Sequence, residues 1–331
     1  MWQLRNGGEV QGLNIFSLMN FWFLNQTEYL YVRHMRKPPA VVGNAPVKQM
    51  NRLTLDNIII ELNRSYPELV DRFSQAYNFV AAEFANDIRI LPSKFERTCR
   101  YCENSYPEVT FNHEAHSIPE FLGNHLSLSP YECDRCNKLF STYENQFSKF
   151  FGHLITISGT KGKNGIPNSR SGDNKTIAQK EKFYKNESGI LFGNTNRNEE
   201  NAKYDIENNL FKITSCSEKY IPISIYKILV KMAVGILPEY LNEISKELNP
   251  FLLDKKHKNL IENELFKMII YTSSRRYEST SIFLFKKNSK DNIPDYCFLL
   301  FYDHFMMQIL FHHHLLIHIQ SFRSTQFFHQ S

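Results

Sequence analysis

Two closely spaced pairs of cysteines are the residues of this chain best suited to bind a metal ion. Each pair is separated by two residues and about thirty residues lie between the pairs, which are Cys99 with Cys102 and Cys133 with Cys136. Thiolates at this spacing can close a tetrahedral zinc site with Zn–S bonds of about 2.3 Å. Four ordinary thiols are the alternative, but two independent tight pairs would rarely arise by accident. Because four thiolates leave no position open for water, the sequence predicts a zinc ion with a structural role.

A histidine and an asparagine accompany the cysteines. His116 lies between the two pairs and is followed by Ile118 and Pro119, so the chain is expected to turn away just after it. A neutral imidazole held near a strand end can take a proton from water. Asn137 follows the last cysteine directly and offers an amide oxygen. A single histidine is more often structural, but this position favours a general base that shares a pocket with Asn137.

Periodicity predicts the elements that must position these side chains. From Cys136 to Phe151 apolar residues recur at helical spacing without proline or glycine, which predicts an amphipathic helix. Asn137 would lie at the N-terminal edge of this helix, where a polar side chain can turn into a site rather than into the core. The segment from Pro107 to Phe111 indicates a short strand that leads toward His116.

Upstream of the cysteines the apolar residues also recur with a helical period. The apolar residues from Leu55 to Leu62 would share one face of a helix, with Asp56 as an acid of its first turn. A second helical stretch is indicated over residues 67–80. Together these patterns predict an N-terminal helical layer.

The chain of 331 residues is long enough for one large or two ordinary domains. Its content of 42% hydrophobic and 22% charged residues argues against global disorder. The predicted fold class is α+β, because helix and strand patterns are mixed in the second half. The predicted domains are an irregular N-terminal extension (1–50), a helical segment (51–94), the cysteine module (95–160), a basic flexible linker (161–205) and an α+β C-terminal domain with antiparallel strands (206–331).

The net charge of +5 is unevenly distributed. Lysine and arginine outnumber the acids between residues 149 and 185, a stretch that is also rich in glycine, asparagine and serine. Two interpretations have equal weight: solvated lysines that keep a loop soluble, or an arm that grips phosphate groups with salt-dependent, sequence-neutral affinity. On the second interpretation, the nucleic-acid contacts are predicted to be Lys138, Lys161, Lys163 and Arg170.

The sequence gives no sign of a membrane span or a secretion signal. No apolar run approaches the about 18 residues that a spanning helix needs. The apolar run from Ile15 to Leu24 lacks a basic start and a small-residue cleavage site. Paired cysteines in a large chain of this kind favour metal binding over disulfides. We therefore expect a cytoplasmic protein that does not enter a membrane.

The order of the motifs resembles that of a known family. Cys-x2-Cys, His-x-Ile-Pro, Leu-Gly and Cys-x2-Cys-Asn follow one another as in the HNH endonuclease superfamily, of the ββα-metal type. More narrowly, residues 115–124 (Ala-His-Ser-Ile-Pro-Glu-Phe-Leu-Gly-Asn) and 131–137 (Tyr-Glu-Cys-Asp-Arg-Cys-Asn) are similar to the bacterial HNH endonuclease 5 group. The resemblance covers roughly residues 95–165 and is specific in the ordered combination of motifs.

The resemblance implies a zinc-stapled ββα-metal module that hydrolyses phosphodiester bonds in nucleic acid, with DNA as the expected substrate. His116 matches the histidine that activates a water for attack on the phosphodiester bond. Asn137 matches the last position of the pattern, which binds a divalent cation, Mg²⁺ or Mn²⁺. The four cysteines match the zinc staple. The implied cation would polarise the scissile phosphate and stabilise the leaving oxygen.

One departure from the family pattern concerns the acid beside the histidine. Members usually carry Asp, Glu or His directly before the catalytic histidine as a metal ligand, whereas this chain has Ala115. On a strand, Glu114 would point to the same side as His116, and it is the predicted substitute ligand of the catalytic cation. Glu120 and Glu144 are further candidates for this role.

A second departure concerns the middle asparagine of the pattern. Leu128 occupies the region where that asparagine normally lies, and Asn124 is the nearest candidate. Both departures favour an alternative function, that of a catalytically degenerate zinc-stapled nucleic-acid-binding protein. A third possibility is an interaction protein in which zinc merely folds a loop.

Overall fold

The computed structural model describes most of the chain from residue 73 onward and, before it, the backbone of six short strands. The described residues are 73–182, 188–196, 201–205, 210–213, 215–255, 268–272, 276–277, 279–288, 290 and 293–312, with the strand residues among the first 62. Among them, no helix is both long and apolar enough to cross a membrane. The chain divides into two units, one of Met1–Asp87, Leu229–Asp254 and Glu262–Ser331 and the other of Ile88–Ile228 and Lys255–Ile261.

The first six strands form one antiparallel sheet. They are β1 (Leu4–Arg5), β2 (Glu9–Val10), β3 (Leu13–Asn14), β4 (Tyr29–His34), β5 (Arg52–Leu55) and β6 (Ile58–Leu62). The order is β1-β2-β4-β6-β5, and β3 pairs with β4. The extension that was predicted to be irregular, residues 1–50, therefore contains four strands among its described residues.

The helical layer predicted over residues 51–94 is wrong for the residues described between 52 and 62, which form strands. Strands β5 and β6 pair antiparallel, with Leu55 opposite Ile58. The apolar positions between Leu55 and Leu62 fit two short strands as well as one helical face. The β-branched run from Ile58 to Ile60 favours the strands. Asp56, predicted as an acid of the first helical turn, lies outside the described residues.

The second predicted helix, over residues 67–80, is half helix and half strand where it is described. Residues 73–76 are helical, and β7 (Tyr77–Phe84) follows directly. Residues 67–72 lie outside the described part of the chain. Strand β7 pairs with a strand of the C-terminal region, and a long-range partner of this kind is not visible in local periodicity.

The cysteine region contains little regular structure before its helices. Its strand-like pairing consists of isolated bridges, which join Thr98 to Ser105 and His116 to Leu128. A 3-10 turn covers Glu120–Leu122. The strand predicted from Pro107 to Phe111 is not formed, and these residues make turns and irregular backbone.

Two helices complete the cysteine region. Helix α1 (Asp134–Phe151) confirms the predicted amphipathic helix, and the short α2 (His153–Ile157) follows it after one glycine. Helix α1 buries one face, which carries Cys136, Phe140, Tyr143, Phe147 and Phe151. This apolar face explains why the segment is helical, because the buried positions recur every three to four residues.

The flexible linker predicted over residues 161–205 contains paired strands. A three-stranded antiparallel sheet is formed by β8 (Ser169–Arg170), β9 (Thr176–Lys182) and β10 (Ser188–Asn194), and β11 (Ala202–Asp205) pairs with β12 (Leu210–Ile213). Thr176 and Ala178 are both buried, which is the period of two expected of a half-buried strand. The glycine, lysine and asparagine content of the segment concealed this short pattern.

The C-terminal region combines two helices with an antiparallel sheet, as the sequence predicted. The helices are α3 (Pro222–Gly235) and α4 (Asn242–Leu253). The strands are β13 (Met268–Thr272), β14 (Ser281–Lys287), β15 (Tyr296–Tyr302) and β16 (Phe305–Phe311), in the order β13-β16-β15-β14-β7. Every residue of β15 is buried, so this strand lies in the core of its unit.

Candidate functional site

The four cysteines of the two pairs lie together, as predicted. Their sulfur atoms all lie within 4.8 Å of one another, and the Sγ atoms of Cys102 and Cys133 are 3.6 Å apart. A tetrahedral zinc ion with Zn–S bonds of about 2.3 Å would hold its sulfur atoms about 3.8 Å apart. Cys99, Cys133 and Cys136 are buried, so water has little access to the centre of the cluster. The donor set and its spacing fit a structural zinc ion.

A tight turn presents the first cysteine pair. The amide of Glu103 donates to the carbonyl of Cys99 over 2.8 Å, and the amide of Cys99 donates to the carbonyl of Asn104 over 2.9 Å. Glu103 has a φ of 59°, in the left-handed region, which lets the chain reverse directly after Cys102. The bridge between Thr98 and Ser105 closes the base of the turn. Both sulfur atoms of the pair can therefore face one point.

The second cysteine pair lies at the start of helix α1. Cys133 is the residue that caps the helix, and Cys136 lies in its first turn. The amide of Asn137 donates to the carbonyl of Cys133 over 2.9 Å, which forms the first helical hydrogen bond. The amide of Arg100 donates to the carbonyl of Tyr131 over 2.8 Å and so joins the backbones of the two pairs. The helix start and the turn are thus held together independently of the sulfur atoms.

The thiol groups share their protons unevenly. Hydrogen bonds from Cys136 and Cys99 hold the pKa of the Cys133 thiol well below its usual value. The hydrogen bond of Cys99 to Cys133 raises the pKa of Cys99 to about 12. The hydrogen bond of Cys136 to Cys133 likewise raises the pKa of Cys136. Binding of a metal ion would displace the protons that remain on these thiols.

His116 lies on an extended segment that pairs with the chain just before the second cysteine pair. Besides the bridge from His116 to Leu128, the amide of Ser129 donates to the carbonyl of Ala115 over 2.7 Å. The Nε2 atom of His116 is 3.7 Å from Oε1 of Glu120, and the two side chains are 13% and 33% exposed. The imidazole is therefore half-buried beside a carboxylate at an accessible edge of the module.

Asn124, the candidate for the middle asparagine of the family pattern, holds the loop that follows His116. Its Nδ2 atom donates to the carbonyls of Ile118 and Ser127 over 2.7 and 2.9 Å. Its Oδ1 atom accepts from the amides of Leu126 and Ser127 over 3.2 and 2.9 Å. The side chain is fully buried, and both donors and the oxygen of its amide are engaged within the loop. This asparagine therefore positions backbone.

Asp134 is a structural residue of the site that the sequence did not predict. Its carboxylate accepts hydrogen bonds from the Thr110 hydroxyl and from the amides of Asn112 and His113, the last two over 3.0 and 2.9 Å. Partial burial opposes the charged form, but these hydrogen bonds outweigh it and lower the pKa of Asp134. The available signal was an acid in the first turn of a predicted helix, where a carboxylate is favoured.

The predicted ligands of the catalytic cation differ in their exposure. Glu114 is exposed and Asn137 is half-buried in the first turn of α1. Within the described part of the chain, the four cysteines are the one group of three or more His, Cys, Asp or Glu side chains close enough to share a metal ion. The roles of Glu114 and Asn137 stay predictions.

All four predicted nucleic-acid contacts are exposed: Lys138, Lys161, Lys163 and Arg170. Two of them lie on a loop that packs against the turn after His116. The carbonyl of Lys161 accepts a hydrogen bond from Nε2 of His125 over 2.8 Å. Gly123 has a φ of 86°, and a side chain added there would approach the methyl group of Thr160 to 3.3 Å. The loop is therefore fixed beside the segment that carries Glu120.

His153 is buried within a group of hydroxyl side chains. Its Nδ1 and Nε2 atoms are 2.8 and 2.9 Å from the hydroxyl oxygens of Ser169 and Thr176. Burial lowers the pKa of this imidazole, although the charge of Glu218 acts in the opposite direction. Because both ring nitrogens are engaged, His153 joins α2 to strands β8 and β9 as a structural residue.

Comparison with known proteins identifies one segment. No curated protein and no solved structure matches the chain. Residues 99–151 match the family model described as HNH endonuclease. The matched segment begins at the first cysteine of the cluster and ends with the last residue of α1. The match confirms, for this segment, the resemblance to the HNH endonuclease family.

Proposed function

We propose that this protein is a metal-dependent endonuclease that hydrolyses phosphodiester bonds in nucleic acid, with DNA as the substrate. The observation that carries the proposal is the four-cysteine cluster inside the segment that matches the HNH endonuclease model. The cluster joins the backbone before His116 to the start of the helix that carries Asn137. Two distant parts of the chain are thereby held at the same end of one small module.

In the proposed reaction, His116 acts as the general base. A half-buried imidazole near neutral pH can take the proton of a water molecule whose oxygen then bonds to phosphorus. The bond from phosphorus to the leaving oxygen breaks, and that oxygen acquires a proton from solvent. A bound Mg²⁺ or Mn²⁺ ion would supply positive charge at the phosphate, with Asn137 and Glu114 as its proposed ligands.

The exposed cations support nucleic acid as the substrate class. Lys161 and Lys163 lie on the loop that His125 and Thr160 fix beside the turn after His116. Lysine contacts to phosphate are independent of base sequence and weaken with added salt. Together with Lys138 and Arg170, they form the proposed nucleic-acid interface.

A plasmid-nicking assay tests the proposed function. The zinc-loaded full chain is expected to convert supercoiled plasmid to nicked plasmid when Mg²⁺ or Mn²⁺ is added. Replacing the general base (His116→Ala) should lower the rate about 10²- to 10⁴-fold. The matched control is His113→Ala, because His113 is highly exposed and its backbone contact with Asp134 does not need the ring. Equal cleavage by His116→Ala and the wild type would remove His116 from its role.

A second candidate function is a zinc-stapled nucleic-acid binder without cleavage. It is favoured by Ala115 and by the absence of a second group of metal-ligating side chains among the described residues. This candidate predicts salt-dependent binding of DNA with no nicking in the presence of either cation. The proposed endonuclease predicts both binding and nicking in the same preparation.

A further inference from the structure

We propose that Glu120 is a positioning residue for His116, whose carboxylate holds the imidazole ring through its contact with Nε2. This inference rests on the proposed function of His116 as the general base. It assigns to Glu120 a role that depends on its contact with the ring and requires no contact between Glu120 and a metal ion.

The chain is folded so that Glu120 returns to the histidine. His116 is extended and pairs with Leu128, whereas the 3-10 turn Glu120–Leu122 begins directly after Pro119. Within the turn, the amide of Leu122 donates to the carbonyl of Pro119 over 3.0 Å, and that of Gly123 donates to the carbonyl of Glu120 over 2.9 Å. The reversal at Pro119 therefore brings the carboxylate to within 3.7 Å of the imidazole four positions earlier.

The position of this turn does not depend on the contact that it makes with His116. Ile118 and Leu122, on either side of Glu120, are buried in the core of the module. Asn124 fixes the carbonyl of Ile118 through its side-chain amide over 2.7 Å. The backbone of Glu120 is thus held by apolar packing and by hydrogen bonds that its own carboxylate does not make.

The chemistry of the two groups favours this contact. An ionised carboxylate only accepts hydrogen bonds, so the ring nitrogen that faces it is favoured as the N–H. The distance of 3.7 Å exceeds that of a hydrogen bond, but contacts between catalytic groups are often long without substrate and shorten in the reacting complex. When the ring takes a proton from water, the same carboxylate lies beside the imidazolium, as in other carboxylate–histidine pairs.

Kinetics separate this role from a structural one. Glu120→Gln should lower kcat for plasmid nicking about 10- to 100-fold, with KM and zinc content unchanged, as for other residues that orient a ligating or catalytic side chain. Glu120→Asp keeps the charge and should recover part of the lost rate. The control is Glu108→Gln, which removes an exposed carboxylate of the same unit. Wild-type kcat in Glu120→Gln would overturn the proposal.

Nitrogen NMR of the His116 ring gives a readout that does not need cleavage. In the zinc-loaded protein, Glu120→Ala should shift the nitrogen signals of the His116 ring relative to the wild type, whereas Glu108→Ala should not. The ring signal is assigned by its loss in His116→Gln. If the wild type never cuts DNA but the ring responds to Glu120→Ala, the proposed function fails and the positioning role stands. If the ring does not respond, the positioning role fails whether or not the protein cuts DNA.

Discussion

The cysteine module and the C-terminal sheet differ in what holds them together. Between residues 98 and 133 the module has isolated bridges and turns in place of regular strands, and four sulfur atoms meet within 4.8 Å. The sheet has continuous apolar strands, and all seven residues of β15 are buried. One region depends on a few directed bonds at one point, and the other on apolar area distributed along its strands.

The difference shows how chain length constrains the means of stabilisation. A short segment buries too little apolar surface to offset the entropy of ordering its loops, so a metal cross-link supplies the missing free energy. A five-stranded sheet gains about 25 cal/mol for each Å² of apolar surface that it removes from water. We therefore expect the two regions to respond to different changes.

The largest expected effect is loss of the zinc site. Cys136→Ser should abolish binding of one zinc ion per chain and unfold the module, because metal binding to such sites contributes on the order of 10 kcal/mol. Metal analysis together with hydrogen exchange of residues 98–151 measures both losses, and the exchange of β15 should remain slow. Cys216→Ser serves as the control, since this cysteine is exposed and lies outside the cluster. Slow hydrogen exchange throughout the module in the absence of metal would show that its fold does not depend on zinc.

Truncation of a core side chain in the sheet should lower stability and leave zinc binding unchanged. Phe298 of β15 is fully buried, and Phe298→Ala should lower the free energy of unfolding by about 3–5 kcal/mol through lost burial and the cavity left behind. Denaturant unfolding measures this change, and zinc content should stay at one ion per chain. Tyr240→Ala, at an exposed position, should change stability by less than about 0.5 kcal/mol. Loss of zinc in Phe298→Ala would show that the two regions are not independent.

The smallest expected effect is a pH dependence in the unit that contains the module. Burial lowers the pKa of His153 in the folded state, so the unfolded chain binds more protons as the pH falls below about 6.5. The stability that neutral His153 contributes is therefore present above this pH and is lost as the pH falls through the folded-state pKa. Urea midpoints measured across this range should fall less steeply in His153→Asn than in the wild type. An unchanged slope in His153→Asn would show that His153 is not the source of the pH dependence.

The sequence predicted those features that follow from short-range rules. Paired cysteines at metal-ligand spacing, the amphipathic period of α1 and the apolar runs of β14 and β15 are each visible within a few residues. The strands β5 and β6 were taken for a helix because the same apolar positions fit both periods. The hairpin of β9 and β10 was obscured by polar composition, since only alternate residues of β9 are buried.

The parts of the site that the sequence did not predict depend on turns between distant residues. Asp134 stabilises a loop more than twenty positions earlier, which no local spacing specifies. The contact of Glu120 with His116 exists because the chain reverses at Pro119 and is held there by Asn124. Such roles become visible only when the loop conformation is known.

The short distance between the sulfur atoms of Cys102 and Cys133 has a consequence for handling the protein. The two atoms are 3.6 Å apart, although the residues are 31 positions apart in the chain. Without a metal ion, thiols this close are readily joined by an oxidant. A bridge between them would consume two of the four ligands. Exposure to air after the zinc has left would thus prevent its return until a reductant restores the thiols.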